Sequence, residues 1–127
     1  MIIFVYGTLM KGFSEHNEYL TGKEPEAEGY IKGELFHLPE GYPIAIENSV
    51  SEVYGEIYCV TEEGLSRIRE YEDIDEADPL YIEKAVKVYT DRKVVQAAVF
   101  LASKRYEKQI KEKGVPILSG RWRDLIL

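Results

Sequence analysis

The chain has little cysteine, little histidine and no long apolar run. Cys59 is the sole cysteine among 127 residues, which excludes a disulfide framework and a cysteine-rich zinc site. The two histidines, His16 and His37, have neither an i, i+4 partner nor a neighbouring cysteine. Both read as surface or capping residues, and no metal site is expected. No apolar stretch approaches the roughly 18 residues of a spanning helix. The opening Met1-Ile2-Ile3-Phe4-Val5-Tyr6 lacks a basic flank and stops at Gly7, unlike a secretory leader. Positive charge is scarce as well. Lys and Arg number 16 against 23 Asp and Glu, a formal charge of −7, whereas nucleic acid demands the opposite balance. Asn, Gln, Cys and Met together supply seven residues, a scarcity that leans toward a heat-adapted source. These absences leave a soluble, cytoplasmic, acidic single domain covering 1–127, without nucleic-acid or membrane partners. No feature specifies an oligomeric state.

Tyrosine and β-forming residues are what the chain has in plenty. At 45% hydrophobic residues, a chain of this length can bury roughly two-thirds of its unfolded surface. The ten tyrosines each bring a hydroxyl that needs a partner wherever it is buried, as in a polar-lined pocket or along half-buried strands. Turn signals at short intervals divide β-rich stretches. Strands are expected over Ile2–Tyr6, apolar on both faces, and over Tyr30–Phe36, where Gly33 suggests a bulge or close backbone approach. Four more are expected over Tyr42–Ile46, Val53–Val60, Tyr81–Tyr89 and Val94–Leu101. Helices are expected from the candidate N-cap Ser14 to about Leu20, from Thr61 to about Glu72, and from about Ser103 to Lys113 before Gly114. Six strands with repeated glycines and few intervening helices predict an α+β fold. Its sheet would be a small, closed or nearly closed mixed β-barrel flanked by two to three helices.

Two places could carry chemistry. On the second helix, Leu65 and Ile68 mark the apolar stripe, and Glu72 projects about 340° from Leu65, back onto that stripe. A desolvated carboxylate there would have its pKa raised toward neutrality, as a general base requires. The bland alternative is a helix that frays early and leaves Glu72 in a solvated loop. The second place is Tyr6-Gly7-Thr8-Leu9, where a buried strand runs into glycine and presents backbone N–H groups to a carboxylate or oxyanion. Strand-Gly-Thr turns are common, so this signal is weak alone. Six acids lie between Glu70 and Asp78, but an EF-hand counted from Asp73 would place Asp78 and Lys84 where glycine and glutamate are required. They read as a solvated acidic loop. Cys59 reads as strand packing, and Trp122 as the residue that docks the tail on the barrel.

In order along the chain stand Tyr6-Gly7-Thr8-Leu9-Met10-Lys11-Gly12, Asn17 with Leu20, Gly33-Glu34-Leu35, Tyr42-Pro43, Val53-Tyr54-Gly55-Glu56-Ile57-Tyr58, Ile68 to Asp73, and Tyr81. This series, from Ile2 to about Leu101, resembles the γ-glutamylcyclotransferase-like family, in particular its small branch with γ-glutamylamine cyclotransferase and the butirosin-pathway cyclotransferase. The resemblance implies the same barrel and a catalytic glutamate at Glu72. It also implies a substrate-holding loop at Tyr6, Gly7, Thr8 and Leu9, with Tyr81 lining the pocket. Three positions depart from the family pattern. Arg69 stands in place of Asp, Asp73 in place of Gly, and Glu83 in place of Arg. The two charge reversals suggest that one ion pair has been exchanged for another.

The implied reaction is cyclisation of a γ-glutamyl amine or amino acid to 5-oxoproline with release of the amine, without metal or cofactor. The substrate supplies its own α-amine as nucleophile, so the enzyme's task is positioning and proton transfer. Two other readings stand beside it: a non-catalytic domain of the same fold that binds a small ligand, and a hydrolase in which Glu72 activates water.

Overall fold

The computed structural model describes residues 1–126. Its sheet is built from β1 (Ile2–Val5), β2 (Ala27–His37), β3 (Pro43–Cys59), β4 (Tyr81–Tyr89), β5 (Val94–Ala102) and a two-residue β6 (Val115–Pro116). The order is β3-β1-β5-β4-β2-β6, and a further pairing of β3 with β2 closes five of the strands into a barrel. β1 and β5 run parallel, and the other pairs are antiparallel. The expected mixed barrel is therefore present and closed.

The strands differ from expectation in two respects. Tyr42–Ile46 and Val53–Val60 belong to a single long strand, because the polar residues between them bulge without breaking it. The register against β2 jumps between Lys32 and Gly33, so that Lys32 faces Glu52 and Gly33 faces Glu47. The Asn48 side chain closes the bulge by accepting from the N–H groups of Val50 (3.1 Å) and Ser51 (3.0 Å). Asn48 and Ser51 look like a turn in sequence because such side chains compete with the ladder. Gly33 sits at this point, where an added Cβ would lie 2.9 Å from the Ile46 carbonyl oxygen. The sixth strand is the short β6, which the sequence pattern did not suggest.

The helices are α1 (Ser14–Tyr19), α2 (Glu62–Tyr71), α3 (Glu107–Lys113) and α4 (Trp122–Ile126), with a 3₁₀ turn at Lys104–Tyr106 before α3. α2 starts as expected, with the Thr61 hydroxyl accepting from the Gly64 N–H at 3.0 Å. Ser14 is not the cap of α1. Phe13 occupies that place without a side-chain bond, and Ser14 is the first helical residue.

Ile3, Phe4, Ile31, Val53, Tyr58, Val88 and Val99 are buried in the main core, into which Leu65 and Ile68 of α2 pack. A smaller cluster of Phe36, Leu38, Ile44, Ile46 and Ala102 takes Ile110 of α3. Trp122 is buried and packs its ring against His37 at 5.4 Å, docking the tail as expected. Two minor expectations fail. His16 is buried rather than at the surface, and Cys59 is exposed at the end of β3 opposite the exposed Ile2. Among the described residues no helix is long and apolar enough to cross a membrane.

Candidate functional site

β1 and β5 end at the same side of the barrel because they are parallel, and a cleft of ≈ 690 Å³ opens there. Tyr6, Gly7, Thr8, Leu9, Glu72 and Tyr81, the residues singled out in the sequence, all line it. They arrive from three separate segments: the turn after β1, the end of α2 and the start of β4.

Glu72 caps the C-terminus of α2. Its N–H donates to the Ile68 carbonyl at 2.9 Å, so the helix does not fray before it. The chain then turns by a Schellman motif, with Asp73 N–H to Glu70 O at 3.1 Å and Ile74 N–H to Arg69 O at 3.4 Å. Asp73 takes the left-handed conformation at φ 56°, which explains why glycine serves at that position in the pattern the chain resembles. Glu70 faces solvent, while Glu72 is partly buried against the cleft. Burial, then the charge of Asp73, pushes the Glu72 carboxyl up to about 7. The negative end of the α2 dipole acts in the same direction.

Across the cleft, Gly7, Thr8 and Leu9 form a tight turn in which Met10 N–H donates to the Gly7 carbonyl at 3.0 Å. Among the described residues, none of the N–H groups of Gly7, Thr8 and Leu9 has a main-chain acceptor. Gly7 must be glycine, since a Cβ would stand 2.4 Å from Pro43 Cγ. The Thr8 hydroxyl meets the Tyr71 hydroxyl at 3.2 Å, tying the turn to the end of α2.

Tyr6 and Tyr81 present their rings to the cleft and commit their hydroxyls to the scaffold. Tyr6 donates to the Phe100 carbonyl at 2.7 Å and accepts from Ala45 N–H at 3.1 Å; Tyr81 donates to the Pro43 carbonyl at 2.6 Å. Burial holds both phenols above the usual tyrosine range, and the nearby Glu72 charge adds to it. Neither is a proton carrier at neutral pH.

Sequence reasoning left out Tyr42 and Tyr71, which also line the cleft. Their signals were present: Tyr42 precedes Pro43, and Tyr71 precedes Glu72 at the end of the helix. The charge reversals find each other. Arg69 of α2 donates through Nε and Nη2 to the two carboxylate oxygens of Glu83 on β4, at 2.5 and 3.0 Å, so the two reversed positions form an ion pair with each other. Among the described residues, four carboxylates line the cleft (Glu72, Asp73, Glu76 and Asp78) and no lysine, arginine or histidine does. Asp78 is engaged by Arg105 at 3.5 Å and by the Tyr106 hydroxyl at 2.5 Å. Among the described residues no group of three or more His, Cys, Asp or Glu is arranged to hold a metal ion.

Comparisons with known proteins bear on the family and the fold. Residues 3–124 match the family model described as gamma-glutamyl cyclotransferase, AIG2-like. A Methanocaldococcus jannaschii protein, provisionally named a gamma-glutamylcyclotransferase, is 31% identical over 125 residues, 96% of this chain and 95% of that protein. The gamma-L-glutamyl-butirosin B gamma-glutamyl cyclotransferase of Niallia circulans is 39% identical over 72 residues, 56% of this chain and 45% of that enzyme. The solved structure of an uncharacterised Pyrococcus horikoshii protein superposes with a TM-score of 0.72 at 28% identity, covering 99% of this chain and 92% of that one. With the family model spanning nearly its whole length, the chain belongs to the AIG2-like gamma-glutamyl cyclotransferase family.

Proposed function

We propose that the protein cyclises the γ-glutamyl group of a γ-glutamyl amine to 5-oxoproline and releases the amine. The observation that carries this reading is the pairing, across one cleft, of Glu72 with the main-chain N–H groups of Gly7, Thr8 and Leu9. Glu72 takes a proton from the substrate's α-ammonium, and the freed amine attacks the γ-carbonyl carbon. The new C–N bond closes a five-membered ring and pushes the carbonyl electrons onto oxygen. Collapse of that oxyanion breaks the bond to the leaving nitrogen, which takes back the proton held by Glu72. The ring nitrogen gives up its second proton by the same carboxylate, so that the lactam N–H remains and the amine departs as an ammonium. No water is consumed. A carboxyl at about 7 suits both directions of transfer far better than one near its ordinary 4.5. Holding amine and carbonyl in contact distance can supply several kcal/mol of the barrier reduction.

Among the described residues no cationic side chain lines the cleft, so the substrate's α-carboxylate or the oxyanion falls to the main-chain N–H groups. Asp73 and Glu76 line the same cleft and are exposed, and they favour a leaving amine that carries positive charge over one that carries a carboxylate. A panel of γ-glutamyl amines and γ-glutamyl amino acids, assayed for 5-oxoproline and free amine, tests both points. We expect the two products in equal amounts, faster turnover of the cationic members, and loss of that preference in high salt. Glu72→Gln keeps the shape and removes the base. It should lower kcat by at least about 100-fold. Parental turnover by this variant, or release of free glutamate in place of 5-oxoproline, would sink the reading.

A further inference from the structure

A second buried carboxylate has no part in that chemistry. Glu56, on β3, is 6% exposed. Its Oε1 accepts from the Lys11 N–H at 2.8 Å and from the Tyr58 hydroxyl at 2.8 Å, and its Oε2 accepts from Arg123 Nη2 at 3.3 Å. The same Arg123 nitrogen donates to the Lys11 carbonyl, and its guanidinium stands 5.0 Å over the Phe13 ring. Lys11 is therefore gripped through its N–H by β3 and through its C=O by α4. From another side the buried His16 places Nδ1 3.0 Å from the Leu9 carbonyl; a carbonyl only accepts, so this nitrogen carries the proton. Desolvating a carboxylate is costly unless it is paired and bonded. This one is placed where its partners converge on the segment that continues the Gly7-Thr8-Leu9 turn.

We propose that Glu56 and Arg123 are positioning residues that hold the Gly7–Leu9 N–H groups in place for the substrate, so that α4 serves catalysis from behind the cleft. The proposal rests on the cyclotransferase reading of that cleft. Neither side chain lines it, and both act only through the main chain between Gly7 and Lys11. Misplacement of a reacting group by about 1 Å can cost roughly 100-fold in rate.

The test uses the full chain with Glu56→Gln, Arg123→Ala and Arg123→Lys, assayed on one γ-glutamyl amine well below each variant's unfolding temperature. Amide hydrogen exchange is followed at Gly7 to Lys11. Glu56→Gln and Arg123→Ala should lower kcat/KM by about 10- to 100-fold and speed exchange in that segment. The acid limb of the pH–rate profile should stay where Glu72 puts it, and Arg123→Lys should recover part of the loss. Arg123 is partly exposed, so its variants remain informative should Glu56→Gln fail to fold. Parental kcat/KM with parental exchange in folded Arg123→Ala overturns the proposal. A shifted acid limb with unchanged exchange overturns it too, by placing the effect on Glu72. If the parent makes no 5-oxoproline from any γ-glutamyl amine, the functional reading fails. In that event unchanged exchange overturns the positioning role as well, and faster exchange supports the hold on the loop.

Discussion

Glu72 ends α2 with its carboxyl raised to about 7 from 4.5, by burial first and by Asp73 second. A group whose folded pKa is raised lends stability that is complete below the unfolded value and is lost as pH climbs through the folded one. Between about pH 4.5 and 7 the fold therefore gives up on the order of 3 kcal/mol at this one residue. Glu72→Gln should abolish that slope, leaving a protein more stable than its parent at pH 8 and nearly matched at pH 5. Denaturant unfolding at the two pH values measures it. Asp73 offers a second handle. Held at φ 56°, it bears left-handed strain of about 1 kcal/mol that glycine would not, and its charge helps raise Glu72. Asp73→Gly should raise the unfolding midpoint and move the acid limb of the pH–rate profile to lower pH. An acid limb left in place would show that burial alone sets Glu72.

At the scale of elements, the cleft depends on α2 being fastened to the barrel at the end that carries Glu72. Leu65 and Ile68 seat the helix in the core, and the Arg69–Glu83 pair joins its last turn to β4, two residues beyond Tyr81. Both partners are roughly a third exposed or less, and the contact is bidentate, which puts it at about 1 kcal/mol, the upper end for pairs near a surface. Arg69→Glu sets two carboxylates against each other. It should lose more stability than Arg69→Ala and weaken turnover, while the double exchange Arg69→Glu with Glu83→Arg should regain most of both. Thermal melts and kcat/KM for the three variants decide it. The apolar stripe of α2 was legible because i, i+3 spacing is a local property. The single strand β3 was not, since the Asn48 side chain satisfies the Val50 and Ser51 N–H groups as a turn would, and only pairing with β2 keeps the strand continuous.

For the whole molecule, the barrel closes around one core and the tail is pinned to it by Trp122. The indole is buried with its Nε1 lacking an acceptor among the described residues, so its volume matters more than its polarity. Trp122→Ala should cost about 3–5 kcal/mol and Trp122→Phe much less, as denaturant midpoints would show. The tyrosine excess also resolves at this scale. Tyr6, Tyr42, Tyr71 and Tyr81 surround the cleft, Tyr30 packs its ring against Tyr54 and Tyr89, and Tyr58 bonds Glu56. By itself the sequence determined the strand and helix periods, the inward projection of Glu72 and the glycine turn after β1, because each depends on residues a few positions apart. It could not show that His16 and Glu56 are buried. A lone polar residue is placed by whatever packs over it, and those partners come from Tyr58, Arg123 and the Lys11 main chain. The tertiary structure alone decided that closure of five strands would set Glu72, the Gly7-Thr8-Leu9 turn and four tyrosines around one cavity. Barrel closure joins segments that share no local pattern.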